Sequence, residues 1–235
     1  MDVEREEGKC LACCATLTPD LTIEADVEED PDARSIPLRD LQARLVELNV
    51  RRVPGGRATP WLHDALKVGD RLNFTGPFGR FLVRKSDPRP LLFLAGGSGL
   101  SSPRSMILDL LETDGDTRPI TLVYGARNGA ELYYHAEFIA LAQRFPNFRY
   151  VPVLSEPTAE EVWDGATGYV HAAAEALYQG DFRGHRAYLC GPPPMIEACI
   201  RTLMKGRLFE RDIFTEKFVT AGDAEQAKSP LFRNL

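Results

Sequence analysis

The chain lacks any apolar run that approaches the roughly 20 residues of a membrane-spanning helix. It also lacks an excess of positive charge, because 28 lysines and arginines stand against 34 aspartates and glutamates, a net charge of −6. This balance argues against nucleic acid and anionic membranes as partners. The charged first residues have no apolar signal-peptide centre, so we expect a cytoplasmic protein.

Cysteine is also scarce, with five residues of which Cys10, Cys13 and Cys14 are crowded together. An odd number at this spacing does not indicate a disulfide framework. The rest of the composition, with 44% hydrophobic and 26% charged residues, is ordinary for a globular protein. The length of 235 residues suits one large domain or two ordinary ones.

Residues 89–222 alternate short apolar strands with amphipathic helices. The predicted strands are 91–95, 120–125, 149–154, 187–190 and 213–218, and the predicted helices are 102–112, 136–145, 170–178 and 194–204. Strand, helix and strand at this spacing predict βαβ units. We therefore expect an α/β fold with a doubly wound, five-stranded parallel sheet that binds its ligand at the carboxyl ends of the strands.

Residues 38–88 have a different, β-rich pattern. It predicts strands at 41–48, 71–75 and 81–85 and a short helix at 61–66. This segment is too short for a complete barrel, since six strands with ordinary connections need about 60 residues. Residues 26–37 are acidic and poor in apolar side chains, which is typical of a linker.

A glycine-rich turn follows the first strand of the predicted sheet. It runs Gly96-Gly97-Ser98-Gly99-Leu100-Ser101 and leads into a helix with an apolar face. Such a turn presents backbone N–H groups and a positive helix end to a phosphate, and glycines let the backbone approach closely. The pattern alone also fits a strand-to-helix turn that binds nothing.

Two further segments end predicted strands. Cys190-Gly191-Pro192 could direct a thiol at a bound ligand, although a free cysteine is also a common small core residue. Arg127 follows the second strand, where a dinucleotide fold meets the adenosine ribose and an arginine can accommodate a 2′-phosphate. A solvated loop arginine explains Arg127 equally well.

Together these segments resemble the NAD(P)H-binding lobe of the ferredoxin–NADP⁺ reductase superfamily. They are most similar to the reductase components of bacterial phenol and toluene monooxygenases. The matching segments are the loop from Ala95 to Pro103, Arg127 with Glu131-Leu132-Tyr133, the turn from Cys190 to Ile196, and the terminal strand from Phe214 to Phe218. Much of the superfamily has proline where this chain has Ser102.

The resemblance implies a relay in which NADH reduces FAD, and single electrons then pass through a 2Fe–2S cluster to an oxygenase component. It assigns the nucleotide to Gly96, Gly97, Ser98, Gly99, Leu100, Ser101, Arg127, Cys190, Gly191, Pro192 and Phe218, with Cys190 as the catalytic residue. NADH is expected in preference to NADPH, and a monomer is expected.

The chain departs from this family pattern in the segments that would bind the electron acceptors, FAD and the 2Fe–2S cluster. Gly56 and Thr59 resemble the flavin pyrophosphate loop, but the flavin motif Arg-x-Tyr/Phe-Ser is absent between Asn49 and Val53. Residues 38–88 are therefore interpreted as a shortened, incomplete antiparallel β-barrel flavin lobe. Residues 1–25 resemble the carboxyl end of a plant-type ferredoxin domain in which Cys13 matches one cluster ligand, and residues 223–235 form a tail. With one of four ligands matched, we do not expect an intact cluster.

Three hypotheses follow. The first is an NAD(P)H-dependent electron-transfer reductase of a multicomponent monooxygenase. The second is a nucleotide-binding protein that holds NAD(H) without transferring electrons. The third is a flavin reductase that uses loosely bound flavin as a substrate.

Overall fold

The computed structural model describes residues 49, 50, 52, 58–67 and 81–217. The chain divides into two compact units, Met1–Arg84 and Lys85–Leu235. In the first unit the described residues form one helix, α1 (Ala58–Asp64), close to the helix predicted at 61–66. Gly56, Cys13 and the strands predicted at 41–48 and 71–75 lie outside the described residues.

The second unit alternates strands and helices as the sequence predicts. Its strands are β1 (Leu91–Gly96), β2 (Ile120–Ala126), β3 (Phe148–Leu154), β4 (Ala166–Thr167), β5 (Arg186–Gly191) and β6 (Ile213–Lys217). Its helices are α2 (Ser101–Leu108), α3 (His135–Arg144), α4 (Val170–Leu177) and α5 (Pro193–Lys205). A π-helical turn, Asp109–Thr113, extends α2. Among the described helices, none combines the length and hydropathy needed to span a bilayer.

All strand pairs in the sheet are parallel, and the order is β4-β3-β2-β1-β5-β6. The parallel α/β sheet is confirmed, but the predicted number of five strands is wrong because β4 adds a sixth. A strand of two residues is too short to show an apolar pattern, and its pairing with Val153 and Leu154 of β3 is visible only in three dimensions.

The sheet is buried on both faces, which is why its strands read as continuous apolar runs. On one face, Leu94 and Leu189 pack in a cluster with Ile196 and Ile200 of α5. On the other face, the rings of Phe93, Tyr188 and Phe214 stack across β1, β5 and β6 with centroids 5.3 and 5.0 Å apart. Apolar side chains therefore pack on both faces of the sheet.

The strand predicted at 81–85 is wrong. Residues 81–84 have no regular secondary structure, and residues 85 and 86 form a turn. A strand is defined by backbone hydrogen bonds to a neighbouring strand, and an alternating apolar pattern does not supply them.

Charged side chains connect the amino-terminal edge of the sheet. Asp87 and Arg89 precede β1, Arg186 begins β5, and Asp212 precedes β6. Arg89 donates hydrogen bonds to Asp87 at 2.8–3.1 Å and to Asp212 at 2.8 Å, and Arg186 also pairs with Asp87. The side chains of Asp87 and Asp212 are only 13% and 12% exposed, so solvent screens these pairs less than it screens surface pairs.

We expect Asp87→Asn to lower the free energy of unfolding at pH 7 by about 2 kcal/mol, because hydrogen bonds to a charged, half-buried group are lost. Hydrogen bonds from Arg89 hold the pKa of Asp87 below its ordinary value of 3.8. The ionised carboxylate therefore stabilises the fold above about pH 4, and this contribution is lost as the pH falls further. Urea unfolding followed by circular dichroism should show the difference between variant and wild type shrinking from pH 7 to pH 3.

Asp181→Asn is the matched control, because Asp181 pairs with Arg183 in the same Asp-x-Arg spacing. Its side chain is 46% exposed, so we expect no measurable change in the unfolding midpoint. Equal changes in the free energy of unfolding for the two substitutions would contradict a stabilising role for the ion pairs of Asp87 at the amino-terminal edge.

Candidate functional site

The candidate site lies where the strand order of the sheet reverses. From β1 the chain runs outward through β2, β3 and β4, and it then returns to place β5 on the other side of β1. In open α/β sheets the usual ligand position lies at such a reversal, beside the loops that follow the two central strands, here β1 and β5. The glycine-rich turn and the Cys190-Gly191-Pro192 turn are these two loops.

The glycine-rich turn forms a 3₁₀ helix, Gly97–Leu100, that continues into α2. Ser101 Oγ donates a hydrogen bond to the Ser98 carbonyl at 3.0 Å, and the Leu100 side chain is buried. The first N–H groups of a helix have no partner within it, and the helix end carries positive partial charge. The turn therefore offers a binding position for an anion.

Gly97 and Gly99 are required for two different reasons. Gly97 has a φ of +56°, and no atom lies within 4 Å of the position that a Cβ would occupy, so this space is open to a ligand. A Cβ on Gly99 would lie 2.5 Å from the Cys190 carbonyl oxygen and 2.7 Å from Gly191 Cα. The second glycine thus serves the contact between the two loops, and sequence reasoning had assigned it to the phosphate.

Tyr124 connects the glycine-rich turn with the segment from Glu131 to Tyr133, and the sequence analysis assigned it no role. Its ring is fully buried in β2, and its hydroxyl donates towards the carbonyls of Gly97 and Glu131 at 3.2 and 3.4 Å. The N–H of Tyr133 donates to the same hydroxyl at 3.4 Å. Burial raises the pKa of Tyr124, so the phenol stays protonated. The signal available in the sequence was a tyrosine, which carries a hydroxyl group, within an otherwise mostly apolar strand.

Arg127 follows β2 at the carboxyl edge of the sheet, as predicted. Its Nε donates to Glu131 Oε2 at 2.9 Å, and its Nη2 donates to the other carboxylate oxygen. This pairing raises the pKa of Arg127, and Glu156 contributes in the same direction. The guanidinium is 52% exposed and already has an acidic partner.

Cys190 lies at the end of β5 beside the glycine-rich turn. Its side chain is fully buried, and the thiol donates to Glu216 Oε2 at 3.5 Å. Gly191 ends the strand, and Pro192 caps α5. Cys190 therefore lies at the predicted edge of the sheet, but its thiol contacts the Glu216 side chain. The sequence analysis had placed Glu216 in the terminal strand and had given it no role.

Few of the residues predicted to bind the flavin or the iron–sulfur cluster lie within the described residues. Thr59 is half-buried in α1, whereas Gly56, Phe218 and Cys13 lie outside them. Across residues 58–67 and 81–217, no three His, Cys, Asp or Glu side chains are grouped to hold a metal ion. The flavin and cluster assignments stay predictions.

Comparison with known proteins matches both halves of the chain. The family "Oxidoreductase NAD-binding domain" matches residues 93–201, and the family "Oxidoreductase FAD-binding domain" matches residues 35–82. The chain is 47% identical to the reductase component DmpP of a phenol 2-monooxygenase from Pseudomonas sp. CF600, over all of this chain and 82% of that protein. It is 44% identical, with the same shares covered, to the phenol hydroxylase P5 protein from Acinetobacter pittii.

Among solved structures, the chain is similar to the cytochrome P450 reductase GcoB from Amycolatopsis. The TM-score is 0.66 and the identity 36%, over 73% of this chain and 51% of that one. The alignments with the two phenol hydroxylase proteins run over 290 positions against the 235 residues of this chain, a difference of 55. At least that many aligned positions have no residue here, which agrees with an internally shortened chain.

We expect Gly99→Ala to destabilise the second unit by about 3 kcal/mol, because the new methyl group collides with the backbone of Cys190 and Gly191. Gly115→Ala is the control, since Gly115 has a φ of +63° and open space around its Cβ position. We expect it to cost about 1 kcal/mol, the penalty of a left-handed alanine. Urea unfolding measures both, and equal losses would contradict the close contact.

Proposed function

We propose a function for this chain, which belongs to the family of phenol hydroxylase reductase components. It binds NADH at the carboxyl edge of its sheet. It then delivers electrons through FAD to an oxygenase component. The family is one of NAD(P)H-dependent flavin oxidoreductases. The observation that carries the proposal is the contact between the Gly96–Gly99 turn and the Cys190–Gly191 turn at the reversal of strand order.

The residues of the chain have separate tasks in this proposal. The backbone N–H groups of the turn that contains Ser98 hold the pyrophosphate, and the open space above Gly97 admits it. Arg127 marks the adenosine end, and Cys190 with Gly191 marks the nicotinamide end. NADH gives two electrons as a hydride, and FAD, when bound, would supply the chemistry that accepts such a pair and passes the electrons on singly.

The fit of FAD rests on the sequence. The FAD-domain match covers residues 35–82, and Thr59 is the predicted flavin contact that lies within the described residues. The Arg-x-Tyr/Phe-Ser motif is absent, so we assign no step to residues at a flavin phosphate or ring. Cys13 is likewise insufficient for a 2Fe–2S cluster, because such a cluster needs four thiolates.

The charge around Arg127 favours NADH over NADPH. Glu131 accepts two hydrogen bonds from the Arg127 guanidinium, and Glu156 adds a second negative charge nearby. A 2′-phosphate carries further negative charge, so it would have to displace Glu131 and would be repelled by both carboxylates. The ribose 2′-hydroxyl of NADH meets neither obstacle.

The oxygenase component is the expected macromolecular partner, because the relative from Pseudomonas is the reductase component of a phenol 2-monooxygenase. We further propose a monomer in the cytoplasm. Gel filtration of the purified protein alone, at several concentrations, tests the monomer directly.

We expect the purified protein to show flavin absorbance and to reduce cytochrome c or a dye with NADH. A colourless protein that NADH stabilises against heat, without dye reduction, would favour the nucleotide-binding hypothesis and contradict electron transfer. Activity that depends on added free flavin would favour the flavin reductase hypothesis.

Gly97→Asp should abolish stabilisation by NADH, because it places a carboxylate in the space proposed for the pyrophosphate. Gly115→Asp is the matched control, since both glycines have a left-handed φ and open surroundings. If the two variants bind NADH equally well in a thermal-shift titration, the nucleotide does not bind at the glycine-rich turn.

Glu131→Gln should improve the affinity for NADPH relative to NADH by about fivefold, because one negative charge facing the 2′-phosphate is removed. Glu175→Gln removes a carboxylate that pairs with Lys205 and is the control. Dissociation constants for both nucleotides, measured by fluorescence titration, give the ratio. An unchanged ratio, or equal affinities in the wild type, would contradict the proposed preference.

A further inference from the structure

Three elements bring a hydroxyl, a thiol and a carboxylate together beside the glycine-rich turn. Ser102 lies in the first turn of α2, Cys190 at the end of β5 and Glu216 in β6. Cys190 and Glu216 are register partners on neighbouring parallel strands. Ser102 Oγ donates to Glu216 Oε2 at 2.7 Å, and Cys190 Sγ donates to the same oxygen at 3.5 Å.

The Ser102 hydroxyl is the strongest described contact of this carboxylate. Within the described ranges, Glu216 takes part in no ion pair and Oε1 accepts no hydrogen bond. The adjacent cation, Lys217, pairs instead with Glu197 of α5 at 3.1 Å. Glu216 is half-buried, whereas Cys190 beneath it is fully buried.

An ionised carboxylate prefers water to the neighbourhood of a weak thiol donor. A hydroxyl hydrogen bond of 2.7 Å is short and charge-assisted, and it offsets this preference. Without it, the Glu216 side chain is free to turn towards solvent, and the Cys190 thiol loses its hydrogen bond to this carboxylate.

We propose that Ser102 is a positioning residue that holds the Glu216 carboxylate over the Cys190 thiol and thereby fixes the nicotinamide end of the site. The part that concerns nucleotide affinity rests on the proposed function, whereas the side-chain arrangement does not.

The arrangement is tested by the infrared S–H stretching band of Cys190, identified by its loss in Cys190→Ala. In Ser102→Ala the band should shift to higher frequency, because the thiol loses its hydrogen bond to Glu216. Ser102→Thr retains the hydroxyl and should restore the wild-type band. Ser105→Ala, an exposed serine one turn along α2, should leave it unchanged. An unchanged band in Ser102→Ala would overturn the proposal.

The consequence for binding is tested with NADH and with ADP-ribose, which has the adenosine and pyrophosphate but no nicotinamide. Ser102→Ala should weaken NADH binding by about fivefold and leave ADP-ribose binding unchanged, because the lost contact lies at the nicotinamide end. Ser102→Thr should recover the NADH affinity. Equal weakening for both ligands would show that Ser102 acts on the phosphate loop and would overturn the positioning role.

The two failures are distinguishable. If the wild-type protein binds neither NADH nor ADP-ribose, the proposed function fails, and the S–H band still decides whether Ser102 orients Glu216. Circular dichroism and urea unfolding of each variant show whether a change in affinity reflects loss of the fold. If Ser105→Ala weakens NADH binding as much as Ser102→Ala does, that result would also contradict the proposal.

Discussion

The site depends on the close backbone approach between Gly99 and the Cys190–Gly191 turn. Loops that leave neighbouring strands at a reversal of strand order usually run in opposite directions and leave a crevice between them. Here they are in contact, because Gly99 has no side chain to separate them. That contact fixes the start of α2 relative to β5, and it therefore sets where the helix N–H groups lie relative to Cys190. The proposed contacts at the pyrophosphate and at the nicotinamide end depend on this distance.

The two edges of the sheet use charge in opposite ways. At the amino-terminal edge, Asp87, Arg89 and Asp212 satisfy one another in a half-buried network. At the carboxyl edge, the first N–H groups of the helix that begins at Gly97 have no partner within that helix, and Glu216 Oε1 accepts no hydrogen bond from a described residue. A network that is already satisfied has little affinity for a ligand, whereas unpaired donors and acceptors in a crevice can bind one. The division between a stabilising edge and a binding edge is thus visible in the hydrogen bonds themselves.

Much of the sheet could be predicted from the sequence, because β1, β2 and β5 are apolar runs between turn residues. The carboxyl-edge position of Gly96, Arg127 and Cys190 followed from the same pattern, since parallel strands end at one edge. The contact between Ser102 and Glu216 could not be predicted, because 114 residues separate them and periodicity reports only local structure. The bond between Tyr124 and Gly97 was missed for the same reason. Local pattern identifies the elements, and side-chain contacts across the sheet appear only with the fold.

The gaps in the alignment with the phenol hydroxylase proteins lead us to expect different consequences for the two lobes. A β-barrel closes by hydrogen bonds between successive strands, so the loss of strands leaves unpaired edges that the remaining strands cannot satisfy. The parallel sheet gains its stability from helices packed on both faces, and its core cluster, from Leu92 to Ile213, lies within residues 85–235. A nucleotide lobe of this kind can keep its site when a neighbouring barrel is shortened. Whether electrons leave the bound nucleotide therefore depends on the flavin lobe, while binding depends on the contact made by Gly99.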